Sequence, residues 1–114
     1  MPQDSNGIFV DVWDVAKTPL SAAEGLAFVT APPNGAETVF VGTVRHFNQG
    51  QNVLGVSYDV FDPLAKQSFL DIAGEAQDKW GKDLRLYIVH GKGRLDIGGV
   101  SIIIAAGSPH RDEA

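Results

Sequence analysis

The chain has 114 residues, 44% hydrophobic and 20% charged, a length and balance that fit one compact globular domain spanning 1–114. Its formal net charge is −5 and its pI about 4.9, with no basic stripe, which argues against nucleic acid as a partner. There is no cysteine, so disulfides, thiolate metal sites and a cysteine nucleophile or persulfide are excluded.

The start, Met1 to Gly7, is polar and lacks the basic stretch of a signal peptide. Ile8 to Val15 alternates imperfectly and reads as an edge strand with Trp13 on one face. Ser21 followed three residues later by Glu24 is a capping box, so a short helix begins there. The cluster Thr30-Ala31-Pro32-Pro33-Asn34-Gly35 ends it in a turn.

Ala36 to Arg45, rich in Val, Thr and Phe, reads as the second strand, and Val53 to Phe61 as the third. The polar loop from His46 to Asn52 between them suggests a hairpin. Asp62-Pro63 opens a helix, with Asp62 as N-cap. Ala65, Phe69, Ile72, Ala76 and Trp80 then recur at helical steps, predicting an apolar face along about five turns that Gly81 ends.

Leu84 to His90 reads as a fourth strand, and the glycine-rich Gly91 to Gly99 as a short bent strand. Val100 to Ala106 is almost wholly apolar and should lie centrally in the sheet. Its longest apolar run, Ile102 to Ala106, is far too short to cross a bilayer. Ser108-Pro109 then announces another helix, with Ser108 as N-cap. This order indicates an α+β fold with a mostly antiparallel sheet and two or three helices.

Three segments could carry chemistry. Ser108-Pro109-His110-Arg111 follows a buried strand and opens the expected helix, where free N–H groups favour an anion. Arg111 adds a bidentate donor and His110 a donor or proton carrier. Thr43-Val44-Arg45 ends a strand and leads into the polar loop, although a strand-end arginine often just snorkels. His90-Gly91-Lys92-Gly93-Arg94 could form an anion nest, but it lacks the spacing of a Walker motif and reads more simply as a turn. Asp59 and Asp62 could pair as acids, but Asp62 is accounted for as a cap. The three histidines lie far apart and show no metal-ligand spacing.

An ordered set of segments resembles the MoaE family, the large subunits of molybdopterin synthase. It comprises Phe40-Val41-Gly42-Thr43-Val44-Arg45, Asn48-Gln49-Gly50, Val56-Ser57-Tyr58-Asp59-Val60-Phe61, the helix ending at Trp80, His90 with Gly93, and Ser108-Pro109-His110-Arg111. The resemblance covers nearly the whole chain from Ile8. It implies an α/β-hammerhead fold, a homodimer, and a ubiquitin-like small subunit whose C-terminal glycine thiocarboxylate donates sulfur. The implied reaction is sulfur transfer that turns cyclic pyranopterin monophosphate into molybdopterin in the cytoplasm. Neither cofactor nor metal is implied, and the absence of cysteine agrees with sulfur that arrives on a partner. By the same resemblance Thr43, Val44, Arg45, His110 and Arg111 contact the anionic substrate and flank one pocket.

Two departures bear on this. Relatives carry His-Arg-x-Gly where this chain has His90-Gly91-Lys92-Gly93, which makes Lys92 and Arg94 the candidates to replace the charge. In relatives a segment resembling Lys-x-x-x-Pro-x-Trp-Lys follows the His-Arg helix and supplies the catalytic lysines. The lysines that the resemblance implies are therefore expected beyond Ala114, and no lysine among the 114 residues aligns with them. The residues from Pro109 to Ala114 are too few for a helix stable by itself and should keep their shape only by docking on a neighbouring surface. The alternative reading is a non-catalytic MoaE-like binding or assembly protein.

Overall fold

The computed structural model describes residues 3–5, 7–45, 47–48, 51–52, 55–58, 62–111 and 114. The strands are β1 (Gln3–Ser5), β2 (Ile8–Asp14), β3 (Ala36–Thr43), β4 (Phe47–Asn48), β5 (Gln51–Asn52), β6 (Gly55–Tyr58), β7 (Arg85–Asp96) and β8 (Val100–Ser108). The helices are α1 (Ala22–Val29) and α2 (Asp62–Trp80). The main sheet runs β1-β2-β7-β8-β3, with β6 paired to the distal half of β7. Among the described residues its one parallel ladder is β2 with β7; the others are antiparallel. The mixed, mostly antiparallel α+β class expected from the element order is what forms.

Alternation along β7 sorts the core into two layers. Leu86 and Ile88 face α2 with Ile8, Val10 and Ala73. Tyr87 and Val89 face the other way, against α1, with Val29, Ile103 and Ala105. Ser21 caps α1 through its hydroxyl, which accepts from Glu24 N–H at 3.3 Å. Gly81, at φ 118, ends α2 in a conformation that other residues adopt at a cost.

Several expectations are corrected. The strand at Ile8–Asp14 is not an edge: it is buried between β1 and β7, and it runs parallel to β7. β3 does not form a hairpin with the next strand. It pairs with β8, while β6 pairs with β7, because long-range ladders in the sheet bury more apolar surface than a hairpin across a polar loop. Only Gly55–Tyr58 of the expected third strand is described, and His46, Asp59, Val60 and Phe61 lie outside the described residues.

The fourth strand and the glycine-rich segment as far as Asp96 are one continuous strand, β7, within which Gly93 adopts φ 100; Ile97 to Gly99 is the turn that follows. On α2 the covered stripe is Phe69, Ala73, Ala76 and Gln77. Ile72 and Trp80 are 57% and 48% exposed, so neither belongs to the core. Gln77 takes the inward place in the last turns, where its amide donates to Leu84 O at 2.9 Å, and Lys79 lies over the Trp80 ring. β8 is central between β7 and β3, as expected. Among the described residues no helix is long and apolar enough to cross a membrane.

Candidate functional site

β3 leaves its ladder near the end. The register shifts between Gly42 and Thr43, so Thr43 lies beside Val100 instead of Ser101. Ser101 Oγ donates to Gly42 O at 3.2 Å at this step. Beyond it, Val44 is held by the β7–β8 turn: its N–H donates to Gly99 O at 3.0 Å and its O accepts from Gly98 N–H at 2.8 Å. Val44 is buried, whereas Thr43 and Arg45 on either side of it are exposed. Arg45 thus leaves a fixed backbone point with its side chain toward solvent.

At the other end, β8 continues through Ser108, which is 2% exposed. Ser108 O accepts from Gly35 N–H at 3.0 Å, and its Oγ accepts from His110 N–H at 3.2 Å. Pro109 to Arg111 is a bend and turn, not the expected helix. The serine satisfies an N–H two residues on, a local turn that competes with helix initiation. The helix-dipole argument for an anion therefore falls away, leaving the exposed side chains of His110 and Arg111 themselves.

Past this turn, Ala114 comes back onto the sheet. Its O accepts from Thr38 Oγ1 on β3 at 2.8 Å. Among the described residues no side chain is assigned the catalytic step.

The two groups of candidate residues do not meet within one chain. Thr43 lies beside Val100 and Ala36 beside Ser108, so they sit at opposite ends of the β3–β8 ribbon. The strand from Ala36 to Thr43 spans roughly 24 Å at about 3.4 Å per residue.

The basic segment of β7 is neither nest nor turn. Lys92 Nζ pairs with Asp62 Oδ2 at 3.0 Å, a role for Asp62 that its reading as a cap did not include. Arg94 Nε approaches Asp96 at 3.7 Å, and His90 Nδ1 is 2.7 Å from Gly91 O. A Cβ on Gly91 would stand 2.6 Å from Val15 Cγ1. Apolar side chains already fill that space.

Sequence reasoning missed a second polar centre. Asp11, 9% exposed, accepts from Val12 N–H at 2.8 Å and Trp13 Nε1 at 2.9 Å, and pairs with Lys66 at 3.2 Å. Burial pushes its carboxyl up, but the Trp13, Val12 and Lys66 donors together outweigh that and hold it below the usual carboxylate range. The signal available was an acid at an inward position of an otherwise apolar strand. Burial, and then the Glu24 carboxylate, push the Tyr87 hydroxyl above the usual phenol range, so it stays neutral.

A cleft of about 530 Å³ lies at the end of the sheet beside Asn34, Lys82 and Arg85. Arg85 Nε donates to Phe28 O at 2.8 Å and its guanidinium covers the Phe28 ring, so it serves the C-terminal end of α1. An apolar recess of about 280 Å³ lies between α2 and the sheet, lined by Phe69, Ile72, Ile102 and Ile104. Among the described residues no cluster of three or more His, Asp or Glu could hold a metal.

Residues 15–114 match the family described as MoaE protein. Molybdopterin synthase catalytic subunit 1 of Mycobacterium tuberculosis is 38% identical over 96 residues, which is 84% of this chain and 65% of that protein. The molybdopterin synthase catalytic subunit of Synechococcus elongatus is 39% identical over 100 residues, 88% of this chain and 59% of that protein. The chain thus spans somewhat under two thirds of these relatives' length. Molybdopterin synthase from Staphylococcus aureus superposes with a TM-score of 0.84 at 29% identity, over 91% of this chain and 73% of that one. A complex of subunits 1 and 2 of molybdopterin-converting factor from Helicobacter pylori superposes with a TM-score of 0.71 at 26% identity, over 91% and 68%.

Proposed function

The chain belongs to the MoaE protein family, and from that membership we propose that it acts as the large subunit of molybdopterin synthase. Its substrate is cyclic pyranopterin monophosphate, its sulfur donor the thiocarboxylated C-terminal glycine of a ubiquitin-like small subunit, and its compartment the cytoplasm. The observation that carries the reading is the identity of 38% and 39% to catalytic subunits across most of the chain. The two-subunit complex of the Helicobacter pylori relative supports a small-subunit partner.

Thr43, Arg45, His110 and Arg111 bind the anionic substrate, and the buried Val44, expected in the same set, instead anchors the backbone between Thr43 and Arg45. Arginine suits phosphate because its planar fork donates two parallel hydrogen bonds. Histidine adds a ring N–H donor. These residues hold substrate; none of them is given the covalent step.

A homodimer resolves the separation of Arg45 from His110 and Arg111. β3 ends the sheet, and its Val39, Phe40 and Val41 are exposed, with Phe40 at 58%. An apolar edge strand left bare is an aggregation hazard, so a partner surface is expected there. Two copies related by a two-fold axis beside Phe40 run their β3 strands antiparallel. Arg45 then lies next to the partner's Ala36, and so beside the partner's His110 and the partner's Arg111. Each of the two sites draws on both copies.

The test is incubation with cyclic pyranopterin monophosphate and thiocarboxylated small subunit. Dithiolene product is the expected result for the protein expressed from its whole reading frame. Tight binding of both without product would leave a binding or assembly protein.

A further inference from the structure

Arg45 is exposed and lies past the end of β3. The strand has slipped out of register at Gly42/Thr43, so the β8 ladder no longer sets the backbone beyond that point. The replacement is the β7–β8 turn, which holds Val44 by both its N–H and its O. We infer that the turn at Gly98–Gly99 is the positioning device for Arg45, an inference that rests on Arg45 being a substrate-binding residue.

Two properties of the turn fit this role. Gly98 sits at φ 84, a backbone state that glycine adopts freely, asparagine tolerates and β-branched residues resist. A Cβ at Gly98 would meet nothing within 4 Å, so a substitution there changes conformational preference without creating a clash. Gly99 differs: its Cβ would stand 2.9 Å from Leu95 Cδ2 and 3.0 Å from Asp96 O, so a side chain there crowds the turn itself. The turn also closes on itself, with Gly99 N–H donating to Asp96 O at 2.9 Å. A change at Gly98 therefore reaches Arg45 along a short path: turn, Val44 backbone, Arg45. The plainer alternative is a hairpin turn that contributes stability only.

Substitutions at Gly98 separate the two. Affinity for cyclic pyranopterin monophosphate is measured by calorimetry, and folding by thermal unfolding, for the wild type, Arg45→Ala, Gly98→Val and Gly98→Asn. Arg45→Ala should weaken binding roughly tenfold or more. Gly98→Val should weaken it about tenfold through misplacement of the guanidinium, while the protein remains folded at the assay temperature. Gly98→Asn, which accepts the same φ, should restore affinity to near wild type. If Gly98→Val does not fold, Gly98→Ala replaces it, with the same order expected. Loss of thermal stability in Gly98→Val with unchanged affinity would overturn the inference and leave Arg45 in the site. Unchanged affinity in Arg45→Ala would overturn the substrate-binding reading itself.

Discussion

Lys66 on α2 reaches Asp11 on β2 at 3.2 Å, and this ion pair ties the helix to the parallel strand beneath it. Asp11 is held below the ordinary aspartate value of 3.8. A carboxyl depressed in the folded state contributes stability that is present above 3.8 and lost as the pH falls below it. Asp11→Asn should destabilise the protein by about 1–3 kcal/mol at pH 7, because Lys66 and Trp13 lose a charged acceptor. The gap between variant and wild type, measured by urea denaturation, should shrink at pH values below that of the unfolded carboxyl. A gap of the same size at neutral and acid pH would show that the charge on Asp11 contributes nothing.

Arg111→Ala should weaken binding of cyclic pyranopterin monophosphate by about 1.5–3 kcal/mol, since it removes a charge-assisted hydrogen bond from an exposed side chain. Its unfolding temperature should stay at the wild-type value. Calorimetry that finds no loss of affinity removes Arg111 from the site.

Mixing variants tests whether the site is shared. Arg45→Ala and Arg111→Ala homodimers should each be impaired at both sites. After subunit exchange, half of the dimers are mixed, and each mixed dimer has one site with both arginines. Activity should recover to about a quarter of wild type. No recovery after verified exchange would place both arginines in one protomer's site.

Phe40→Glu should give a monomer in sedimentation, because a charge on the exposed middle of β3 opposes burial there. The far-ultraviolet circular dichroism should not change. A dimer that persists puts the interface elsewhere.

Gly91→Ala should cost about 1–3 kcal/mol by overpacking against Val15. Val15→Ala in the same chain should recover part of the loss, since the two side chains compete for one space. Additive losses in a double-mutant cycle would show that Val15 is not the obstacle.

Much of the local structure could be read from short-range chemistry. The Ser21 cap, the stop at Gly81 and the central place of Val100 to Ala106 each depend on a few adjacent residues. The pairing of β3 with β8 could not be read so, because nothing near Ala36 names Ser108, 72 residues away, as its partner. The helix expected after Ser108 failed because a serine hydroxyl can cap either a helix or a local turn, and Pro109 suits both. The candidate site could be read only as residues at strand ends. That Arg45 and Arg111 sit at opposite ends follows only from the β3–β8 register.

The parallel ladder between β2 and β7 has a further consequence, for the order of assembly. Ile8 pairs with Leu86, so the first long strand must wait for most of the chain before it finds its neighbour. By contrast, β7 and β8 meet across the short turn at Ile97–Gly99. Closing a small loop costs less entropy than closing a large one, so the β7–β8 hairpin should form first and β2 should dock late. During synthesis, Val10 and Val12 would remain uncovered until the ribosome has released β7. Pulse-labelled hydrogen exchange during refolding should protect Ile88 and Ile104 before Val10; simultaneous protection would mean that the sheet closes in one step.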